Sequence, residues 1–218
     1  MLQEKLNQCR ILISEVKQNQ QLNEENKNIA KRNNTFFDSY SNYLVPLIKS
    51  YLICKSCDHI SFSDSLIDEL NEWMRNTEKV FEQKAVVNPA KYQSNYKSLY
   101  EKFQNEWETQ TSEYISDTKE DLGILRLVSN DKLEIQKILQ CMNNYSKWPL
   151  DETTKEQFLV AEKSAEKILD QSEFDDYIAQ VLKKVKDKQA SILDLTDTII
   201  DWIRRENLSN NIMLSIRN

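Results

Sequence analysis

The chain has 218 residues, 39% of them hydrophobic and 29% charged, with a formal net charge of −6. It is long enough to bury a core and too apolar for disorder, and its acidity sets it against phosphate backbones and anionic lipid. One glycine, Gly123, and three prolines, Pro46, Pro89 and Pro149, exclude a fold built on tight hairpins or glycine-rich phosphate loops.

The fold class these features predict is all-α. It is an elongated bundle of about eight helices, with a coiled-coil-like N-terminal helix and a short strand-like C-terminal tail. No apolar run reaches the roughly 20 residues of a membrane span. The N-terminus, MLQEKLNQCRILISEVKQNQ, carries no signal-peptide pattern, so a cytoplasmic location and no membrane partner are expected. Four cysteines at spacings of 45, 3 and 84 residues do not form a disulfide framework and are read as reduced thiols.

In chain order, Leu2, Leu6, Cys9, Ile13 and Val16 recur at alternating steps of four and three, which is heptad spacing. The same register then meets Gln20, Asn23 and Lys27, and the seam turns polar. The start of this helix is expected to pack within the bundle. The later part, with Leu22 and Ile29 as weaker apolar points, is expected to be solvated or to await a partner. A second helix is expected from about Thr35, carrying Phe36, Tyr40, Tyr43, Leu44, Leu47 and Tyr51, with Pro46 kinking or dividing it.

A polar link, SCDHISFS, precedes a third helix with Leu66, Leu70, Trp73, Thr77 and Val80. A fourth begins near Pro89, a favoured first-turn residue. Its bulky stripe Tyr92, Tyr96, Leu99, Phe103 and Trp107 reads as core rather than as a base-stacking surface. The segment DLGILRLVSND either continues that helix or forms a short extended piece.

Ile135, Ile138, Leu139 and Met142 mark a fifth helix. Trp148-Pro149 marks the candidate subdomain boundary, giving an N-terminal bundle over 1–149 and a C-terminal helical subdomain over 150–218, or one continuous domain. Phe158, Ala161 and Ala165 mark the sixth helix. Ile178, Val181 and Val185 mark the seventh. Ile192, Leu195, Ile199 and Trp202 mark the eighth. In the tail, Ile212, Leu214 and Ile216 alternate with period two.

Three constellations bear on function. Cys54, Cys57 and His59 could supply part of a zinc site, but no second close pair completes four ligands. A thioredoxin-like dithiol lacks its βαβ context. The plainer reading makes Cys54 a core residue and places Cys57 and His59 in the link, with no metal and no cofactor. Lys183, Lys184, Lys186 and Lys188 lie near a helix C-terminus, where the macrodipole favours cations; with Arg204 and Arg205 they are the candidate nucleic-acid contacts. Asp194, Asp197 and Asp201 read as a solvated acidic stripe on one helix face, with Asp201 supported by Arg204 and Arg205.

With one histidine and no phosphate loop or nucleophile elbow, the function expected is a non-enzymatic interaction, scaffold or regulatory subunit of a larger cytosolic complex. It would bind protein partners or a second copy through Leu2, Leu6, Ile13, Val16, Ile212, Leu214 and Ile216. The alternatives are an accessory subunit of a nucleic-acid-processing or genome-defence assembly, and a metal- or thiol-dependent protein built on Cys54, Cys57 and His59.

Overall fold

The computed structural model describes residues 2–83 and 88–209, with side chains from Leu12 onward. Helix α1 spans Leu2–Ser39, and a π-helical turn Tyr40–Leu44 joins it to α2, Val45–Cys54. There follow α3 (Asp64–Gln83), α4 (Pro89–Val128), α5 (Lys132–Tyr145), α6 (Glu152–Gln171), α7 (Asp176–Lys186), a 3-10 turn (Ile192–Asp194) and α8 (Asp197–Arg205). The protein is thus an all-α bundle, with no strand among the described residues. No helix among them is long and apolar enough to cross a membrane. The strand-like tail expected at 210–218 lies outside the described residues.

The break expected near Thr35 does not occur. Helical backbone runs unbroken through it, and the local hydroxyls bond backward along the helix: Thr35 Oγ1 donates to the Lys31 carbonyl at 3.0 Å and Ser39 Oγ to the Thr35 carbonyl at 2.8 Å. Such bonding keeps Ser and Thr inside a helix rather than at its cap. Pro46 acts one turn upstream. Proline has no N–H to donate and its ring crowds the carbonyl four residues back. The chain answers by widening, with the Val45 amide bonded to the Tyr40 carbonyl, five residues back.

Gly123 sits inside α4, which settles that segment as helical continuation. Nothing lies within 4 Å of where a Cβ would stand, so packing does not require glycine there. The helices that would ordinarily end on glycine end on other residues. Glu173, Lys188 and Asn207 take positive φ of 46°, 60° and 55° directly after the C-caps of α6, α7 and α8. In each case the next amide reaches back five residues: Phe174 to Leu169, Gln189 to Lys184 and Leu208 to Ile203, at 2.8–3.2 Å. This is the left-handed termination motif that satisfies orphan carbonyls, made here without glycine.

The chain forms two compact units, Met1–Lys49 with Phe62–Phe103, and Ser50–Ser61 with Gln104–Asn218. The first unit's core joins Phe36, Leu44 and Leu47 to Leu66, Leu70 and Val80 of α3 and to Tyr96, Leu99 and Phe103 of α4. Phe36 is its aromatic hub, meeting Tyr92 at 5.3 Å and Phe81 at 5.9 Å. The second unit buries Trp107, Leu122, Ile135, Tyr145, Phe158, Ala165, Val181 and Trp202. Two buried indole nitrogens there bond to carbonyls at helix ends: Trp107 to Tyr145 at 3.1 Å and Trp202 to Ser172 at 2.7 Å. Trp148–Pro149, a cis peptide, lies between α5 and α6 in this unit. The stripe Tyr96 to Trp107 is core.

Candidate functional site

Two features stand apart from the packed core. The first is α1. From Leu12 to Arg32 every residue is exposed, including Leu12, Ile13, Val16, Leu22 and Ile29, each about half accessible. The expectation that the start of this helix packs inside the bundle therefore fails for Ile13 and Val16. Heptad spacing defines a face, but Phe36, which meets rings of α3 and α4, is the first buried side chain among the described residues of α1.

Leu22, Ile29 and Phe36 are seven residues apart and share one side of the helix. The face buried at Phe36 is thus presented bare two turns earlier. Leu12, Ile13 and Val16 lie elsewhere, because at 3.6 residues per turn Leu22 sits about 120° around the axis from Val16. The described side chains of α1 offer two apolar patches rather than one straight coiled-coil seam. The side chains of Leu2 and Leu6, and residues Ile212, Leu214 and Ile216, lie outside those described.

The second feature is a cavity of about 380 Å³ in the second unit, lined by the link residues Ser56 to His59, Tyr114 of α4, Tyr145 of α5, and Lys155, Leu159 and Glu162 of α6. The link is held as a run of tight turns after α2. Gln110 clasps its end from both sides, accepting from the Ser61 amide at 3.0 Å and donating to the Ser61 carbonyl at 2.9 Å. That clasp sets His59 flat against the Tyr114 ring.

Tyr145 is the centre of the cavity's bonding. Its ring stacks on Phe158 at 3.8 Å, its hydroxyl donates to Cys57 Sγ at 3.4 Å, and its oxygen lies 3.0 Å from His59 Nε2. With Tyr145 donating to sulfur, its oxygen accepts from His59, which puts the ring proton on Nε2. The chain of donors then runs His59 to Tyr145 to Cys57, and Cys57 points on to the Ile53 carbonyl at 3.9 Å.

Burial lowers the His59 imidazole below its ordinary range, against a smaller opposing pull from Glu162 and Asp58. Burial, then the bond to Cys57, drives the Tyr145 phenol far up. Tyr114 is pushed up to about 12, first by donating to the Glu162 carboxylate at 2.6 Å and then by burial. Lys155 bonds Ser56 Oγ at 2.6 Å and pairs with Glu152 at 3.4 Å.

Cys54 is 2% exposed at the end of α2, and burial raises its thiol strongly. Cys57 is 7% exposed and belongs to the cavity wall. Among the described residues, no three His, Cys, Asp or Glu side chains are grouped to hold a metal ion. Sequence spacing brought Cys57 and His59 to notice but not Tyr145, Tyr114, Lys155 or Glu162. The one available signal was that Lys155, Leu159 and Glu162 share an α6 face at steps of four and three.

The basic candidates are largely engaged within the chain. Lys183 bonds Glu120, whose carboxyl it holds below the ordinary range with help from Lys186. Lys184 pairs with Asp194 at 2.5 Å, which lowers that carboxyl to about 2. Arg204 pairs with Asp201 at 3.4 Å, and Arg205 with Glu173 at 2.8 Å. Lys188 takes the left-handed position that ends α7.

Asp194 does not share the α8 face with Asp197 and Asp201. It accepts from the Ser191 amide at 2.7 Å and closes a capping box on the 3-10 turn. Set against protein-family models, curated proteins and solved structures, the chain matches none.

Proposed function

We propose that this protein is a non-enzymatic helical interaction subunit of a larger cytosolic assembly, and that α1 is its docking element. The observation that carries the reading is the stretch Leu12–Arg32, exposed on every side while holding Leu12, Ile13, Val16, Leu22 and Ile29. Helices in proteins owe most of their stability to packing of an apolar face. A polar-sided helix without such packing is stabilised by ion pairs or bridges to something else. No ion pair is formed among the described side chains of this stretch.

Its partner is selected chiefly by shape and apolar contact. The stretch carries Lys17, Lys27, Lys31 and Arg32 together with Glu15, Glu24 and Glu25, four cations and three carboxylates, so it has little net field to steer association. Two patches on different sides suit a partner that wraps α1 or supplies two helices; a second copy of the chain is the simplest such partner. The ion-paired state of Lys183, Lys184, Arg204 and Arg205 favours this reading over phosphate binding, since each of these cations already has a carboxylate.

The test is purification at native level from the protein's own cells, comparing the parent with Ile13→Glu/Val16→Glu and with Leu22→Glu/Ile29→Glu. The parent is expected to elute with a stoichiometric partner, or as a multiple of its own mass, and at least one variant to lose it. A partner-free parent monomer, or a partner kept by both variants, contradicts the reading.

A further inference from the structure

Cys54 ends α2 and Cys57 closes the turn that follows it, with the Cys57 amide donating to the Cys54 carbonyl at 2.8 Å. A four-residue turn closed this way holds its end Cα atoms within about 7 Å, and a disulfide spans Cα separations of about 4.4–6.8 Å. Both thiols are free and buried, but they are placed differently. Cys57 forms part of the wall of the 380 Å³ cavity and Cys54 does not.

We propose that Cys54 and Cys57 are a reversible dithiol–disulfide pair, in which Cys57 exchanges with a small-molecule disulfide entering the cavity and Cys54 resolves the product. Thiol–disulfide exchange does not require a thioredoxin-like fold. It requires one sulfur with access, a second within reach and a leaving thiolate.

In the first step Cys57 gives its S–H proton to cavity water and its sulfur attacks one sulfur of the small disulfide. The Cys57–S–S–R bond forms, the small S–S bond breaks, and the departing thiolate takes up a proton. In the second step the Cys54 sulfur, losing its proton, attacks Cys57 Sγ and expels the second small thiolate, which is protonated in turn. Two cysteine thiols are oxidised and one disulfide is reduced to two thiols.

Four features of the site serve this chemistry. The cavity volume lies in the range that admits small ligands. The Tyr145 hydroxyl is aimed at Cys57 Sγ, a donor placed where negative charge develops. The residues after Cys57 are not helical as far as Ser63, so Cys57 can turn toward Cys54 without unwinding α2. Cys57 lines the cavity and Cys54 does not, so a small disulfide meets Cys57 first, and this sets the order of the two steps.

The experiment uses the tag-free full chain carrying Cys9→Ser and Cys141→Ser, exposed while folded to oxidised glutathione as the probe. Intact mass is read first. Trypsin then cuts after Lys55, between the two cysteines, so only a disulfide keeps the two peptides together. The expected result is loss of two hydrogens, joined Cys54 and Cys57 peptides, and full reversal by dithiothreitol. Cys54→Ser is expected to hold glutathione on Cys57, and Cys57→Ser to remain unmodified.

Glutathione persisting on Cys57 with Cys54 present would overturn the proposal. So would equal modification of Cys54 in the Cys57→Ser variant, or no reaction in protein whose helical circular dichroism is intact. The first of these readings needs neither site variant to fold. The proposal stands or falls independently of α1.

Discussion

His59 lies flat on Tyr114, ring centroids 3.8 Å apart and planes 13° from parallel, and the burial this entails lowers its imidazole below the ordinary value of 6.5. The unfolded chain therefore takes up the histidine proton first as pH falls. Stability from this residue is complete above the unfolded value and is lost as pH falls through it toward the folded one. Because this is the only histidine in the chain, one imidazole resonance in the tag-free protein reports the group. Its midpoint is expected below that of the urea-unfolded chain, and His59→Gln is expected to flatten the stability slope in that window. A folded midpoint at or above the unfolded one would contradict the burial assigned here.

Thr77 and Tyr96 bind each other across α3 and α4. Their hydroxyls are 2.5 Å apart, with Thr77 also donating to the Trp73 carbonyl at 2.6 Å. Both residues are buried. Thr77→Val leaves the Tyr96 hydroxyl buried without that partner, which costs about 1–3 kcal/mol. The double variant Thr77→Val/Tyr96→Phe is expected to cost less than the sum of the singles. Urea denaturation of the four proteins gives the coupling directly; strict additivity would show that the pair does not interact.

Lys188 ends α7 in a conformation that costs a non-glycine residue about 1–2 kcal/mol. Lys188→Gly removes that strain and restores some unfolded-state entropy, for a net gain of about 0.5–1 kcal/mol. Asn207, at the equivalent place after α8, tolerates the left-handed region better, so Asn207→Gly gains less. Thermal unfolding of the two variants checks both the sign and the order.

Trp202 fills the second unit's core from α8 and donates to the Ser172 carbonyl at the end of α6. Trp202→Ala removes the ring and the bond together and is expected to cost about 3–5 kcal/mol. Exposed Val160, 67% accessible on α6, serves as the matched control: Val160→Ala is expected to change stability by no more than about 0.5 kcal/mol. Guanidinium denaturation separates the two.

The helices were legible where their packing is local and periodic. Tyr96, Leu99, Phe103 and Trp107 are spaced by three and four, and all are fully buried. The continuous helix through Thr35 was not legible, because Asn33, Asn34 and Thr35 have the composition of a link, and only the backward bonds of Thr35 and Ser39 show otherwise. The heptad at Ile13 and Val16 showed that a face exists but not what covers it. The cavity was half legible. Cys57 and His59 attract notice as rare residues, but Tyr145 reaches Cys57 across 88 positions, a separation that no local pattern encodes.

The proposed role of α1 as a docking surface is open to direct test. The most direct measurement is amide hydrogen exchange across Leu12–Arg32, read by mass spectrometry on the protein in native assemblies from its own cells and on the same chain purified alone. Rapid exchange is expected in the isolated chain and marked protection of this stretch in the assembly, with the amides around Phe36 slow in both. Equal exchange of Leu12–Arg32 in the two samples would contradict it.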